Sequence, residues 1–387
     1  MGPTERIIAV FKGKEIDRVQ TYCASFEEWT VQQVLSKPFI TTKSLFFNPV
    51  SRLILDKWGK KISKMVLQPS VDSALMKRLE AAVALGFDST VLNYEWRLMI
   101  LDSKKVARVT GSIYDIQHDG HGNVFFYYHG PALASPEAFE AWSDFPNPDD
   151  IAHGCYKFYK KAMAQYGEKI CIIGDTCTGL HEIILLAVGF EKMLWWIRKK
   201  ADFIKKLISL GDEISMKTTM AAMDAGIKVV LHADDFSHKT GPILNPKITD
   251  ELFGDSYARI TKAVHDRNGI SAIHSCGDNT KLFDYFIKWG FDGGHAFENT
   301  SNVDIAYEKK THGDRFTIIG GMGVDYLLTS RSKPEEVVDG VKHLIRTCAH
   351  GGRFILGPVN AHSEEDVSKI KVMIDATKEY GRYPITV

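Results

Sequence analysis

Three consecutive stretches decide the fold: Ile227–Ser237, IKVVLHADDFS; Ile248–Gly269, ITDELFGDSYARITKAVHDRNG; and Ile270–Asn279, ISAIHSCGDN. The first and third open on short, apolar, β-branched runs, KVVL and SAI, which suit strands buried on both faces of a parallel sheet. The stretch between them reads as a helix that ends at Gly269, a glycine placed for a C′ position. Strand, helix, strand in this order is the unit of an α/β sheet.

The same rhythm extends outward in both directions. Lys169–Gly179, KICIIGDTCTG, precedes a helical stretch that ends in DAG at Gly226. Phe291–Asn299, FDGGHAFEN, precedes VDIAYEKKTHG, and Phe316–Gly323, FTIIGGMG, precedes KPEEVVDGVKHLIRTCAHGG. Arg353–Ser363, RFILGPVNAHS, is closed by SEEDVSKIKVMIDATKEYG. Gly226, Gly269, Gly290 and Gly313 mark the helix ends. Repeated alternation of this kind allows a doubly wound sheet or a closed (β/α)8 barrel.

Residues 1–150 are less regular. RIIAVFKGK and DSALMKRLEAAVALG read as helical and DSTVLNY as a strand. Lys105–Pro131, KVARVTGSIYDIQHDGHGNVFFYYHGP, reads as an antiparallel hairpin or small sheet that turns at DGHGN. An insertion there would cover a barrel mouth. No Pro/Ser-rich linker interrupts the chain, so a single domain over residues 1–387 is expected.

Composition excludes several function classes. Lys+Arg and Asp+Glu each number 48, with no basic stripe, which argues against a nucleic-acid partner. No apolar run approaches membrane-spanning length. The start lacks a secretory h-region, and Arg6 breaks a myristoylation pattern at Gly2. Cys23, Cys155, Cys171, Cys177, Cys276 and Cys348 are scattered rather than arranged as a disulfide framework. A cytoplasmic protein with reduced thiols is expected.

In a parallel barrel the C-terminal strand ends share one face, where active sites lie. Asp175, His232, Asp234, Asp235, His274, Cys276, Asp278, His295, Glu298, Met322, Asn360 and His362 all fall at such ends. Residues i and i+2 of a strand point to one side, so His274 and Cys276 can both face the axis. Nitrogen plus thiolate sulfur suits zinc, which takes three protein ligands when catalytic. His362 is the favoured third ligand, with Asp235 and Glu298 as competitors. A buried His–Cys pair is the plain alternative, as is turn capping for Asp234 and Asp235 or an ion pair for Glu298. Tyr94, Trp96, Met322 and Asn360 are candidate substrate contacts. No G-x-G-x-x-G, P-loop, G-x-S-x-G or H-E-x-x-H occurs.

These motifs resemble the uroporphyrinogen decarboxylase superfamily over nearly the whole length, and within it the corrinoid-dependent methyltransferases of the O-demethylase methyltransferase I type. RIIAVFKGKEIDRV looks like the family's N-terminal helix and Asp-Arg turn. GLHEIILLAVGFEKMLWWI, HADDFSHKTGPILNP, IHSCGD and FILGPVNAH resemble its later segments. The resemblance implies a TIM barrel. It also implies a Zn2+ site and a cobamide (corrinoid) on a separate carrier protein. Two departures stand out. The last loop, GPVNAHSEED, lacks the cysteine that completes zinc ligation in methylcobamide:thiol methyltransferases. TYCASFEEWT has no arginine where uroporphyrinogen decarboxylase binds substrate carboxylates, so decarboxylation is disfavoured.

The activity expected from this resemblance is transfer of a methyl group from a small methoxylated, aromatic substrate to Co(I) of the carrier's corrinoid. Asp235 and Glu298 would orient the substrate or a water beside it. A methylcobamide:thiol or pterin methyltransferase is the second reading. A non-catalytic barrel that binds zinc or an aromatic ligand is the third. A homodimer is compatible with each.

Overall fold

The computed structural model describes residues 1–36, 46–94, 98–118, 124–142, 144–145, 147–297, 301–361 and 365–387. The alternation read from the sequence closes into a barrel. The strands in chain order are β1 (Gln20–Cys23), β2 (Ser89–Asn93), β3 (Leu98–Ile100), β4 (Lys105–Arg108), β5 (Ser112–His118), β6 (Val124–Pro131), β7 (Cys171–Thr178), β8 (Val229–Ala233), β9 (Ser237–His238), β10 (Gly241–Pro242), β11 (Ile270–His274), β12 (Gly293–His295), β13 (Thr317–Met322) and β14 (Phe354–Pro358). The closed barrel runs β1-β14-β13-β12-β11-β8-β7-β2, and every neighbouring pair is parallel. Helices follow the strands on the outside, which is the (β/α)8 plan.

Strand alternation sorts the core into two shells. Tyr22, Cys171, Ile173, Val229, Leu231, Ile270, Ala272, Ile319 and Ile355 fill the barrel interior. Ile7, Val10 and Phe11 of the helix Pro3–Phe11 join them and plug one end. The alternate residues, such as Ile172, Val230, Ile273, Ile318 and Phe354, face the surrounding helices. Burial of this kind contributes roughly 25 cal/mol per Å2 of apolar surface and is the main stabilising term.

β1 carries no apolar alternation, and the sequence does not announce it as a strand. Its Gln20 and Thr21 are fully buried. Gln20 accepts from Arg6 Nε at 3.1 Å and donates to the Arg18 carbonyl at 2.8 Å, while Asp88 accepts from the Thr21 backbone N–H and hydroxyl at 2.8 and 2.9 Å, and Arg18 grips Asp88 with two bonds of 2.7 Å. The Asp-Arg turn therefore pins β1 to β2.

The helix-end glycines divide. Gly226 and Gly290 adopt left-handed φ of 110° and 91°, a region that glycine enters without a Cβ penalty. In RNG it is Asn268 that turns left-handed, at φ 57°, and Gly313 stays right-handed at φ −68°.

β3 to β6 form a separate antiparallel sheet in the order β3-β4-β5-β6, as the 105–131 pattern suggests. The DGHGN turn itself lies outside the described residues. The sheet packs on the long helix Pro49–Leu85 through Leu55, Leu67, Ile100, Val106, Tyr114 and Ile116. Its other edge is tied to the helix Leu180–Val188 by the Tyr128 hydroxyl on the Leu186 carbonyl and the Leu133 N–H on the Ala187 carbonyl, each 2.9 Å. Among the described residues no helix is long and apolar enough to cross a membrane.

Candidate metal centre

The inward register of β11 runs Ile270, Ala272, His274, so His274 faces the barrel axis at the C-terminal end. Cys276 lies two residues past the strand, not within it. Alternation nevertheless persists, because the ladder continues into the loop: the Asp234 N–H donates to the His274 carbonyl at 2.8 Å and the Ser275 N–H to the His295 carbonyl at 2.9 Å. Asn279 then clamps the turn, donating from Nδ2 to the carbonyls of Ser275, Cys276 and Gly277 at 2.8, 3.1 and 3.2 Å. Gly277 sits at φ 82°, and a Cβ there would come within 2.6 Å of the Ser237 carbonyl oxygen. The loop accepts only glycine at that point.

β8 sorts its acidic pair by the same alternation. Asp234 faces outward and is fully buried. It accepts from the backbone N–H of His181 (2.9 Å) and of Glu182 (2.7 Å), and from the Tyr257 hydroxyl (2.5 Å), anchoring the first turn of the helix after β7. Burial pushes its carboxyl up to about 7, against those three donors. Asp235 faces the mouth. Its carboxylate accepts from the Cys276 N–H at 2.7 Å, and its carbonyl accepts from His181 Nδ1 at 3.0 Å.

These elements bring Asp235, His274 and Cys276 together, with one donor atom from each inside a 4.8 Å group. Cys276 Sγ lies 3.4 Å from His274 Nε2, and Asp235 Oδ1 lies 3.8 Å from it. Tetrahedral zinc, with Zn–S about 2.3 Å and Zn–N about 2.0–2.1 Å, separates such donors by about 3.4–3.6 Å. Imidazole, thiol and carboxylate therefore fit a zinc ion with little adjustment. The other described thiols do not compete. Cys23, Cys155, Cys171 and Cys348 are buried in the core, and burial pushes each thiol well up.

Burial also lowers the His274 pKa against the pull of Asp235, keeping the ring neutral and able to ligate. His295 stands beside it on β12. Burial and the neighbouring His274 bring its pKa down to about 3, against a bond to the Pro358 carbonyl.

The remaining predicted residues fall in different places. His362, Glu298 and Trp96 lie outside the described residues. Tyr94 packs on Phe158, with ring centroids 5.5 Å apart, and lines a cleft of about 1140 Å3 between the helices Pro49–Leu85 and Pro148–Tyr166. Met322 is fully buried and turns outward: a Cβ at Gly340, on the helix Pro334–Cys348, would lie 3.5 Å from its Cε. Asn360 is exposed and accepts from the Ala361 N–H at 2.9 Å. Asp278 caps a turn at Thr280.

His232 also turns outward, against Tyr257 and Phe291, with Nε2 buried and unpartnered. Burial lowers its pKa to about 4. Its neutral form stabilises the fold fully above the unfolded value of about 6.5, and that contribution is lost as pH falls through about 4. Between those limits the protein should lose on the order of 3 kcal/mol through this residue. His232→Leu should flatten the dependence of unfolding free energy on pH in that window; an unchanged slope would contradict the assignment.

The residue pattern did not mark out a role for His181, Glu182 or Arg108. Burial pushes Glu182 up to about 8, against Arg108 and reinforced by Asp235, Asp234 and Asp175. Arg108 reaches Glu182 from the inserted sheet. A cavity of about 330 Å3 lies beside it, lined by Asn93 at the end of β2 and by Leu75, Tyr114, Phe125 and Phe126.

Comparison with curated proteins returns no match. Among solved structures, a methyltransferase from Methanosarcina mazei is similar over 98% of this chain and 99% of its own, at 15% identity and a TM-score of 0.67. A B12-independent methionine synthase from Shewanella sp. W3-18-1, in complex with selenomethionine, is similar over 82% of this chain and 88% of its own, at 13% identity and a TM-score of 0.47. At 15% identity the likeness to the Methanosarcina mazei protein is one of fold. The family model described as Uroporphyrinogen decarboxylase (URO-D) matches residues 123–380. That match spans well over half of the chain, and the protein belongs to the uroporphyrinogen decarboxylase family.

Proposed function

We propose that this protein is a zinc-dependent methyltransferase that moves a methyl group from a small methoxylated aromatic compound to the Co(I) corrinoid of a partner protein. The observation that carries the reading is the convergence of His274 Nε2, Cys276 Sγ and the Asp235 carboxylate at the mouth of the barrel. The likeness to the Methanosarcina mazei methyltransferase, over nearly the full length of both chains, supports methyl transfer.

Bound by these residues, zinc would supply Lewis acidity to the departing oxygen, while the carrier's reduced cobalt supplies the nucleophile. A carboxylate donates less charge than a second thiolate would, which suits an oxygen leaving group better than thiol activation. The Cys276 N–H holds Asp235 in place. The cavity walled by Tyr114, Phe125 and Phe126 is at the lower end of the size range for small-ligand sites, about 300–1000 Å3; Glu27, Glu28, Arg78 and Arg108 also line it, and none of the three donors does.

The test is reconstitution. Protein, reduced corrinoid protein and a methoxyphenol should release the phenol only when zinc is present. Turnover that persists after complete zinc removal would refute the role given to the three donors. His362→Ala belongs in the same experiment: unchanged zinc content would leave Asp235 as the third ligand, and lost zinc would add His362 to the set.

A further inference from the structure

His274 can ligate only if Nε2 carries no proton, and the residues behind it decide that. His274 Nδ1 lies 2.6 Å from His295 Nδ1, and His295 Nε2 lies 3.1 Å from the Pro358 carbonyl oxygen. A carbonyl oxygen only accepts, so His295 Nε2 must be the N–H. In a neutral imidazole the other nitrogen is then a lone pair, so His295 Nδ1 accepts. His274 Nδ1 is left as the donor, and its Nε2 is bare, facing Cys276 and Asp235. The opposite arrangement would set two lone pairs against each other at the Pro358 end, in a site where His295 is 4% exposed. The Tyr22 ring packs on His295 with centroids 4.9 Å apart and restrains its rotation. Both His295 nitrogens are engaged, so the ring is not itself a ligand.

We propose that His295 is the positioning residue of the metal centre: through Nδ1 it fixes the tautomer and ring plane of His274, and the Pro358 carbonyl fixes His295 in turn. The inference rests on the zinc reading above. Partners of this kind behind a ligating histidine typically change metal affinity by about 10–100-fold.

The test uses the full-length apoprotein. Zinc dissociation constants are measured by chelator competition for wild type, His295→Leu and His295→Asn, alongside each variant's apo unfolding midpoint. His295→Leu fills the space without an acceptor and should weaken zinc by about 10–100-fold. His295→Asn offers Oδ1 near the lost Nδ1 and should bind zinc close to wild type. A purely structural residue would not show this split, and equal affinity in wild type and His295→Leu would overturn the proposal. Nitrogen-15 correlation of the histidine rings in wild-type apoprotein gives an independent readout, needed if His295→Leu fails to fold. An Nδ1-protonated His274 is expected; an Nε2-protonated ring would overturn the proposal. If wild-type protein binds no zinc at all, the proposed function fails, while the tautomer readout still tests His295.

Discussion

His274→Ala is expected to reduce bound zinc from about one per chain to near zero, and to abolish methyl transfer with it, while the circular-dichroism spectrum stays that of wild type. Zinc held by four protein ligands is bound with about 10–16 kcal/mol, so one ligand is worth about 2.5–4 kcal/mol, roughly a hundred- to a thousandfold in affinity. Cys276→Ser should behave in the same way, because a neutral hydroxyl replaces the soft donor. The fold should tolerate both changes. His274 lies at the end of its strand, and the next inward residues of that strand, Ile270 and Ala272, keep the interior packed. Full zinc occupancy in either variant would contradict the site. The measurement is metal content per chain by inductively coupled plasma mass spectrometry after gel filtration.

The second large effect separates neighbours. Asp234→Ala should destabilise the protein by about 3–5 kcal/mol, because three buried donors lose the acceptor they share. For a chain of 387 residues that is a fall in melting temperature of about 5 °C. Gly179 makes the site unforgiving, since a Cβ there would lie 1.9 Å from that of Asp234. Asp235→Ala should change stability by less than about 1 kcal/mol, as expected for a side chain near the surface, yet lower zinc affinity sharply. Its side chain is 42% exposed. Thermal melts and zinc titrations on the two variants should therefore give opposite patterns. A stability loss shared equally between them would mean that strand register does not divide their roles.

That division explains what could be read in the sequence and what could not. KVVL, SAI and FTII announced themselves because strands buried on both faces need apolar, β-branched runs. β1 did not, because its buried polar residues are made tolerable by partners outside the strand: Thr21 by Asp88, 67 residues away along the chain, and Gln20 by Arg6 and the Arg18 carbonyl. The spacing of His274 and Cys276 pointed to one face, and the structure keeps them on it, although Cys276 has left the strand and depends on Gly277 and Asn279 to stay there. Composition gave the adjacent Asp234 and Asp235 the same chemistry; only the register of β8 tells them apart. Met322 read as a pocket residue because it ends a strand, but it shares the parity of the outward-facing Ile318, and the regular pairing of β13 with β14 turns it toward the helices. His295 was visible as a polar residue at a strand end. Its function was not, because it depends on a 2.6 Å contact with a residue 21 positions away.

The central claim is that one imidazole, one sulfur and one carboxylate hold zinc at the open end of the barrel. X-ray absorption at the zinc edge of the purified protein tests it most directly. A single sulfur at about 2.3 Å and nitrogen or oxygen neighbours at about 2.0–2.2 Å are expected in the wild-type protein. A spectrum with no sulfur neighbour, or with two or more, would contradict it.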